Sequence, residues 1–522
     1  MKNPLNKLRL MRKVLTTKLI HINEPELVFG HDQFLQDPRD GLTLFGPLQE
    51  NAPFGIHYGL VGTQSGVERF HRWITKGFEL LAHEQVSKRN LWIPFPGFES
   101  TFGIPFAEKA VTTIIINAEE LKQILREYDE HQRVYKVVNL YTEPILNFYN
   151  KADEATSLWF VITPESVYED CRPKSSIDDP LKVIKPEALK KRKEVARLMK
   201  KGQTFIFDEQ EKDYYAYDFD NDFRRQLKAR LILKDIKDPI QIIRESTLAP
   251  FDFINQWGTP KRVLQPDSQI AWNLFSTAFY KAGGKPWKLH GIREGVCYLG
   301  MVFKKLNEGA ACCAAQMFLD SGDGVVFKGA VGPWKSYGKE EYHLDFDAAK
   351  DIIEKAVFAY REFFGMKKDP KEIFIHGRTY LNEEEWKGFS SVMNKGINIV
   401  GIRISNSRFS LFRPGKFPVM RGTALIESEM KGYLYSTGFI PRLKTYPYQG
   451  IPLPLVVEIC KGEADLMTVL KDILALTKLN YNSCHFADGK PITLQFAEKI
   501  GEILIAGPIE KDKAPLAFKF YI

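Results

Sequence analysis

Residues 296–332 read VCYLGMVFKKLNEGAACCAAQMFLDSGDGVVFKGAVG. Three apolar runs lie within this stretch: VCYLGMVFKK (296–305), CCAAQMFLD (312–320) and GVVFKGAVG (324–332). Each has the length and apolar character of a strand. Gly-Asp-Gly between the second and third supplies hairpin chemistry. Downstream, FDAAKDIIEKAVFAYREFF (346–364) carries a helical period, and EIFIHGRTYL (372–381) reads as a further strand. PLVVEICKGEADLMTVLKDILALTKL (454–479) reads as strand then helix, and PITLQFAEKIGEIL (491–504) as a final helix. Antiparallel strands that lead into parallel strands and helices predict a ribonuclease-H-like layout beginning near residue 266.

The preceding part has a different rhythm. FGIHYGLVGTQSGVERFHRWITKGFELLA (54–82), TTIIINAEELKQILREY (112–128) and SLWFVITPESVYEDC (157–171) each pass from an apolar strand into a helix. Strands apolar on both faces that alternate with helices predict a doubly wound parallel sheet. The fold class is therefore α/β, in two lobes, as 522 residues require more than one core. An N-terminal extension with linker strands covers 1–55, the first lobe 56–265 and the second 266–522. KPEALKKRKEVARLMKKG (185–202) reads as a basic helix. The acids of DFDND (218–222) form a solvated loop rather than a calcium site, because the turn glycine and the carboxylate at position twelve are missing.

Composition bounds the chemistry. A net charge of +8 permits a polyanionic partner without requiring one. Six scattered cysteines without a C-x-x-C pair read as buried thiols of a reducing compartment. The basic start MKNPLNKLRLMRKVLTTK lacks the apolar run of an export signal, and no run is long enough to span a membrane, so a cytoplasmic location is expected. KAGGKPW has neither the spacing nor the hydroxyl of a phosphate-binding P-loop, and GLVGTQSG is not a dinucleotide fingerprint. His485 stands beside Cys484 without a second ligand pair, and reads as packing. Two-metal phosphodiester cleavage needs carboxylates projecting from strands. No acid occurs between Gly295 and Asn307, and none in IFIHGRTYL.

Taken together, EPELVFG…DPRDGLTLFGPL (24–30, 37–48), WFVITPESVY (159–168), PIQIIRESTLAP (239–250), FYKAGGKPWKL (279–289), YLGMVFKK (298–305) and LTKLNYNS…PITLQFAEKIGEIL (476–483, 491–504) resemble a short prokaryotic Argonaute. Such a protein keeps the Rossmann-like MID domain and the RNase H-like PIWI domain. The wording is especially similar to the Argonaute subunit of SPARTA defence systems. The resemblance implies a pocket for the 5′-phosphate of a guide strand. Tyr168 and Arg172 stand at the family's Tyr-x-x-x-Lys pair, with Arg in place of Lys. Gln241 matches its glutamine and Lys281 its later lysine, while Lys228 is an additional phosphate contact. Family members tuck a C-terminal carboxylate into this pocket, sometimes through Mg²⁺, which makes Gln241 and Ile522 the candidate metal ligands.

A terminal phosphate bears nearly two charges on three acceptor oxygens, so a set of cations suits it. Tyr168 can stack under the first base, and the planar fork of Arg172 would bind differently from a lysine. Val302 or its neighbour, and Gly377 or Arg378, occupy the first two positions of the cleaving tetrad; Glu498 stands at the fourth. Catalytic inactivity is therefore expected.

The resemblance further implies a 5′-phosphorylated guide RNA that pairs with a single-stranded DNA target. The partner is a TIR-APAZ protein, whose TIR domain consumes NAD⁺ in defence against plasmids or phage when the heterodimer forms a higher oligomer. A Sir2-type effector in place of TIR stays open. Two other readings compete: a nuclease using Asp320, Asp323 and Glu498, and an adaptor with a vestigial pocket.

Overall fold

The computed structural model describes residues 18–49, 55–151, 155–173, 195, 215–291, 293–305, 311–318, 324–332, 342–362, 367–393, 396–508 and 516–522. The expected basic helix at 185–202, Asp320, Asp323 and the Gly-Asp-Gly turn lie outside them, apart from Val195 and Gly324.

The N-terminal part supplies β1 (Lys18–His21), β2 (Leu27–Val28) and β3 (Phe34–Leu35). Next come β4 (Tyr58–Thr63), β5 (Thr112–Ile116), β6 (Leu158–Thr163) and β7 (Ile240–Arg244). These four pair in the order β5-β4-β6-β7, all parallel. β4 and β6 are buried along their whole length, which explains their uninterrupted apolar sequence. Helix Gln64–Lys76 follows β4 through a Thr63 N-cap, and helix Ala118–Leu125 follows β5 through an Asn117 N-cap. The anticipated doubly wound lobe is present.

After β8 (Lys288–Leu289), which pairs with β2, come β9 (Val296–Lys305), β10 (Ala311–Phe318) and β11 (Gly324–Gly332). They form the expected antiparallel meander. β12 (Glu372–Gly377) and β13 (Asn398–Asn406) then add in parallel to β9. β14 (Thr423–Ser428), β15 (Lys431–Leu434) and β16 (Leu455–Lys461) return antiparallel, and β17 (Leu516–Ala517) closes the far edge beside β11. The ten-stranded order is β1-β14-β15-β16-β13-β12-β9-β10-β11-β17. β1 thus belongs to the second lobe's sheet although it lies far away in sequence. A buried ion cluster ties the segment after it to that lobe: Glu24 receives Arg421 at 2.9 Å and Lys478 at 3.0 Å. Burial would raise the Glu24 pKa, but these two cations hold it below the ordinary carboxylate value.

Alternation along β9 sorts its side chains. Cys297, Leu299 and Met301 pack with the helix Phe346–Glu362 side of the core, whereas Val296 and Tyr298 join the opposite layer. Helix Ile492–Leu504 crosses that second face. At Gly300 an added Cβ would lie 2.1 Å from the Thr493 carbonyl oxygen, so only glycine admits the helix there.

The acidic DFDND segment is half-buried rather than fully solvated. Asp222 caps helix Phe223–Leu233 by accepting from the Arg225 amide at 2.9 Å, and Asp220 pairs with the Arg225 guanidinium at 3.2 Å. His485, expected in the core, is partly exposed and faces Asp488 at 3.4 Å.

Asp472 on helix Leu466–Leu476 gives a stability prediction. Burial pushes its pKa up from 3.8 to about 6, against the opposing pull of Arg293, which lies 3.5 Å away. A carboxyl with a raised folded pKa costs stability as pH rises from the unfolded value through the folded one, and the penalty is complete above about 6. Asp472→Asn should therefore raise the melting temperature at pH 8 by several degrees, up to about 3 kcal/mol before the lost ion pair is subtracted. At pH 4 the two proteins should melt together. Thermal unfolding at both pH values checks this.

Candidate functional site

Where helix Asp267–Lys281 ends, the sequence AGGKPW begins. Gly283 adopts φ +101, and the Gly284 amide donates back to the Phe279 carbonyl at 3.0 Å, which ends the helix in a tight reversal. Lys281 therefore sits on the last helical turn, fully covered. Its Nζ donates to the Ile240 carbonyl at 2.8 Å, to Gln241 Oε1 at 2.6 Å and to the main-chain oxygen of Ile522 at 2.6 Å. Lys228 reaches the same point from helix Phe223–Leu233, donating to the Tyr521 carbonyl at 3.1 Å and to the Ile522 oxygen. Four of the residues singled out by sequence, Lys228, Gln241, Lys281 and Ile522, thus converge on one spot between the two lobes.

That spot opens into a cavity of about 640 Å³. Tyr168 and Arg172 line it, just beyond the carboxyl end of β6. Parallel α/β sheets present ligands at this end of their strands. Tyr168 is 43% exposed, and the Arg244 guanidinium lies 3.4 Å from its ring centroid, with Arg172 at 5.1 Å. One face of the ring is thus engaged by Arg244, which the sequence reading did not foresee.

Sequence reasoning also missed Arg224, Arg262 and Lys499, which line the same cavity. Arg224 precedes Lys228 by one helical turn in RRQLK, so a helical reading of that run could have found it. Arg262 and Lys499 are single cations without local pattern. Among the described residues of the lining, Asp222 and Glu502 are the carboxylates, and Glu502 is bound by Arg225 at 3.1 Å. The balance is strongly cationic.

Burial lowers the pKa of both Lys228 and Lys281 well below the ordinary lysine value, and the positive field of neighbouring cations adds to it: Lys281, Arg224 and Lys499 at Lys228, and Arg224 at Lys281. Lys499 is lowered for the same reasons. Such a cluster is costly without an anion, and an entering multivalent anion relieves the cost.

The residues that the resemblance sets at the cleaving tetrad lie elsewhere. Gly300 on β9 stands in register with His376 on β12, so Val302 comes level with Arg378, one residue beyond β12. Even-numbered positions of both strands face helix Ile492–Leu504: His376 Nδ1 lies 2.9 Å from Thr493 Oγ1, and Arg378 Nη2 lies 2.5 Å from Glu498 Oε1. Val302 is buried there. A guanidinium thus engages the Glu498 carboxylate. Among the described residues no three His, Cys, Asp or Glu side chains gather as a metal site.

No family model matches the sequence. Protein argonaute of Aquifex aeolicus (strain VF5) is 25% identical over 256 residues, 46% of this chain and 32% of that protein. Clostridium butyricum Argonaute, solved with a guide DNA and a 19-mer target DNA, superposes with a TM-score of 0.58 over 98% of this chain and 55% of that one, at 15% identity. The structure of Aa-Ago with externally bound siRNA gives 0.54 over 96% and 56%, at 17% identity. The fold is that of an Argonaute. The Aquifex protein resembles this chain in sequence as well. The parallel four-stranded lobe corresponds to MID and the ten-stranded lobe to PIWI, and the chain spans about a third to a half of these Argonautes. No helix among the described residues is long and apolar enough to cross a membrane.

Proposed function

We propose that this chain is a guide-loaded sensor: it holds the 5′-phosphate of a guide RNA, pairs that guide with single-stranded DNA, and does not cut it. The observation that carries the reading is the meeting of Lys228, Gln241 and Ile522 in the wall of a cation-lined cavity, with the Lys281 ammonium buried directly behind them on Gln241 and Ile522. A phosphate entering there exchanges lone acceptors for a dianion able to satisfy several buried donors at once. Arg172 stands beside Tyr168 on the wall of the same cavity and is the cation offered to the phosphate there, while Arg244, held by the Glu165 carboxylate, backs the ring that contacts the first nucleotide.

Mg²⁺ belongs to the same proposal. Gln241 Oε1 and the Ile522 oxygen, both accepting from Lys281, are the chain's oxygen donors that would hold the ion, once Lys281 gives them up to a phosphate. When bound, the ion adds positive charge against the phosphate. Lys281 and Lys228 would turn their ammonium groups from these oxygens to the phosphate.

The reading that the chain does not cut is supported by Val302 and Arg378 standing where the resemblance puts tetrad carboxylates, and by the engagement of Glu498 by Arg378. Target recognition is then reported through another chain. In this proposal that chain is a TIR-APAZ protein, which consumes NAD⁺ once the loaded heterodimers assemble into a higher oligomer in the cytoplasm.

Fluorescence polarisation with 5′-phosphorylated and 5′-hydroxyl RNAs of one sequence tests the core of the reading. The phosphate should improve affinity at least about tenfold, and EDTA should reduce that advantage. The loaded protein should then capture a complementary labelled DNA. Equal affinity for the two RNA ends would sink the reading.

A further inference from the structure

Residues 250–263, PFDFINQWGTPKRV, leave β7 through the short helix Glu245–Leu248 and fold into a hairpin of their own. Ile254 bridges Pro260, and the Lys261 amide donates to the Phe253 carbonyl at 2.7 Å. Asn255 stiffens the tip: its Oδ1 accepts from the Trp257 amide at 2.9 Å, and its Nδ2 donates to Thr259 Oγ1 at 2.8 Å. At the base, Arg69 holds Asp252 at 2.8 Å and lies 5.2 Å from the Phe253 ring centroid. This well-tied loop nevertheless leaves Trp257 76% and Phe251 77% exposed. Two large rings exposed on one short, tied hairpin mark a candidate interaction surface.

Arg262 indicates which occupant. It closes the hairpin, forms part of the wall of the cationic cavity, and is anchored by Nη1 to Ser246 Oγ at 2.8 Å and Thr247 Oγ1 at 3.0 Å. The loop with the exposed indole is therefore continuous with the proposed phosphate pocket. Trp257 lies four residues from Lys261 around the hairpin tip, so the two stand within about 13 Å of each other. The hairpin's own carboxylate, Asp252, is taken by Arg69, while Lys261 is exposed. Rigid aromatics beside cations are the chemistry of single-stranded nucleic-acid stacking, and the held geometry lowers the cost of ordering.

We propose that the 250–263 hairpin is a stacking platform, on which Trp257 receives an unpaired base of the nucleic acid whose end occupies the neighbouring pocket. The platform rests on the guide-end reading of that pocket. It predicts sequence-tolerant binding, since every base presents a π-face.

The test uses the full chain and short 5′-phosphorylated and 5′-hydroxyl RNAs carrying 2-aminopurine at each terminal position in turn. Trp257→Ala should weaken both RNAs by about 5–100-fold, alike for the four bases, and abolish 2-aminopurine quenching at one position. Trp257→Phe should keep most of the affinity. The ratio between phosphate and hydroxyl ends should stay as in the wild type. Wild-type affinity and quenching in Trp257→Ala would overturn the platform, as would a variant whose only change is reduced self-association or reduced binding of a protein partner. Failure of the pocket reading looks different: the two RNA ends would then bind alike in the wild type, whatever Trp257 does.

Discussion

Lys281→Met lowers affinity for a 5′-phosphorylated RNA by about 10–100-fold and changes affinity for the 5′-hydroxyl form little; combined with Lys228→Met, the loss reaches about 10³-fold. Methionine retains much of the length and apolar stem while it removes the ammonium, so packing around the helix end is largely kept. The size follows from charge-assisted bonds to a dianion inside a covered site, each worth roughly 1.5–3 kcal/mol. The pH dependence separates this explanation from a purely structural one. Both lysines have pKa values pushed down by burial and by neighbouring cations, so in the ligand-free protein the buried ammonium forms are disfavoured. The unfolded chain then binds more protons between the depressed folded pKa and the ordinary lysine value, and lysine burial costs more stability as pH falls through that window. A phosphate dianion reverses the effect by favouring the charged forms. The thermal shift produced by a 5′-phosphorylated RNA should accordingly be larger at pH 7, where the phosphate is still mainly a dianion, than at pH 9, and the double Met variant should lose this difference. A shift independent of pH in the wild type would show that these lysines do not carry the binding.

Much of the second lobe is legible because its strands are continuous and apolar. VCYLGMVFKK and GVVFKGAVG coincide with β9 and β11, and the closing helix begins directly after Pro491. β13 to β15 are harder to read. NIVGIRISN contains a glycine and alternates apolar with polar residues only in part, and KGYL spans four residues, below the length at which a period is visible. β1 is invisible for another reason: its partner β14 lies some four hundred residues away, so nothing local specifies its pairing. The site divides in the same way. Lys281 has a local signature in its helix end and double glycine. Gln241, Lys228 and Ile522 entered through resemblance, because a lone glutamine or lysine carries no pattern. Arg244, Arg262 and Lys499 join them only by tertiary placement, each from a different element. Tyr168 could be named from sequence, but the guanidinium across its face could not.

The second large effect concerns the face shared by Val302, Arg378 and Glu498. Two-metal hydrolysis depends on clustered anionic oxygens to offset paired divalent ions. Here one carboxylate is engaged by a guanidinium at 2.5 Å, and a buried valine stands level with that arginine. With its phosphorylated guide and Mn²⁺, the wild-type chain should leave a labelled complementary DNA intact. Arg378→Ala alone should do the same, since one released carboxylate cannot hold a metal pair. Val302→Asp with Arg378→Asp should differ sharply. Positions 302 and 378 both face helix Ile492–Leu504, which carries Glu498, so the double variant sets two new carboxylates beside Glu498 and removes the competing cation. Without metal it should melt below the wild type, because Val302→Asp buries a charge near like charges. Mn²⁺ should then restore several degrees of melting temperature by binding the folded state, while it leaves the wild type unmoved. Adding Glu498→Gln to the double variant should cut that Mn²⁺ response. Target cutting by the wild type, above all if Glu498→Gln abolishes it, would instead mean that carboxylates from other segments complete a working centre around Glu498.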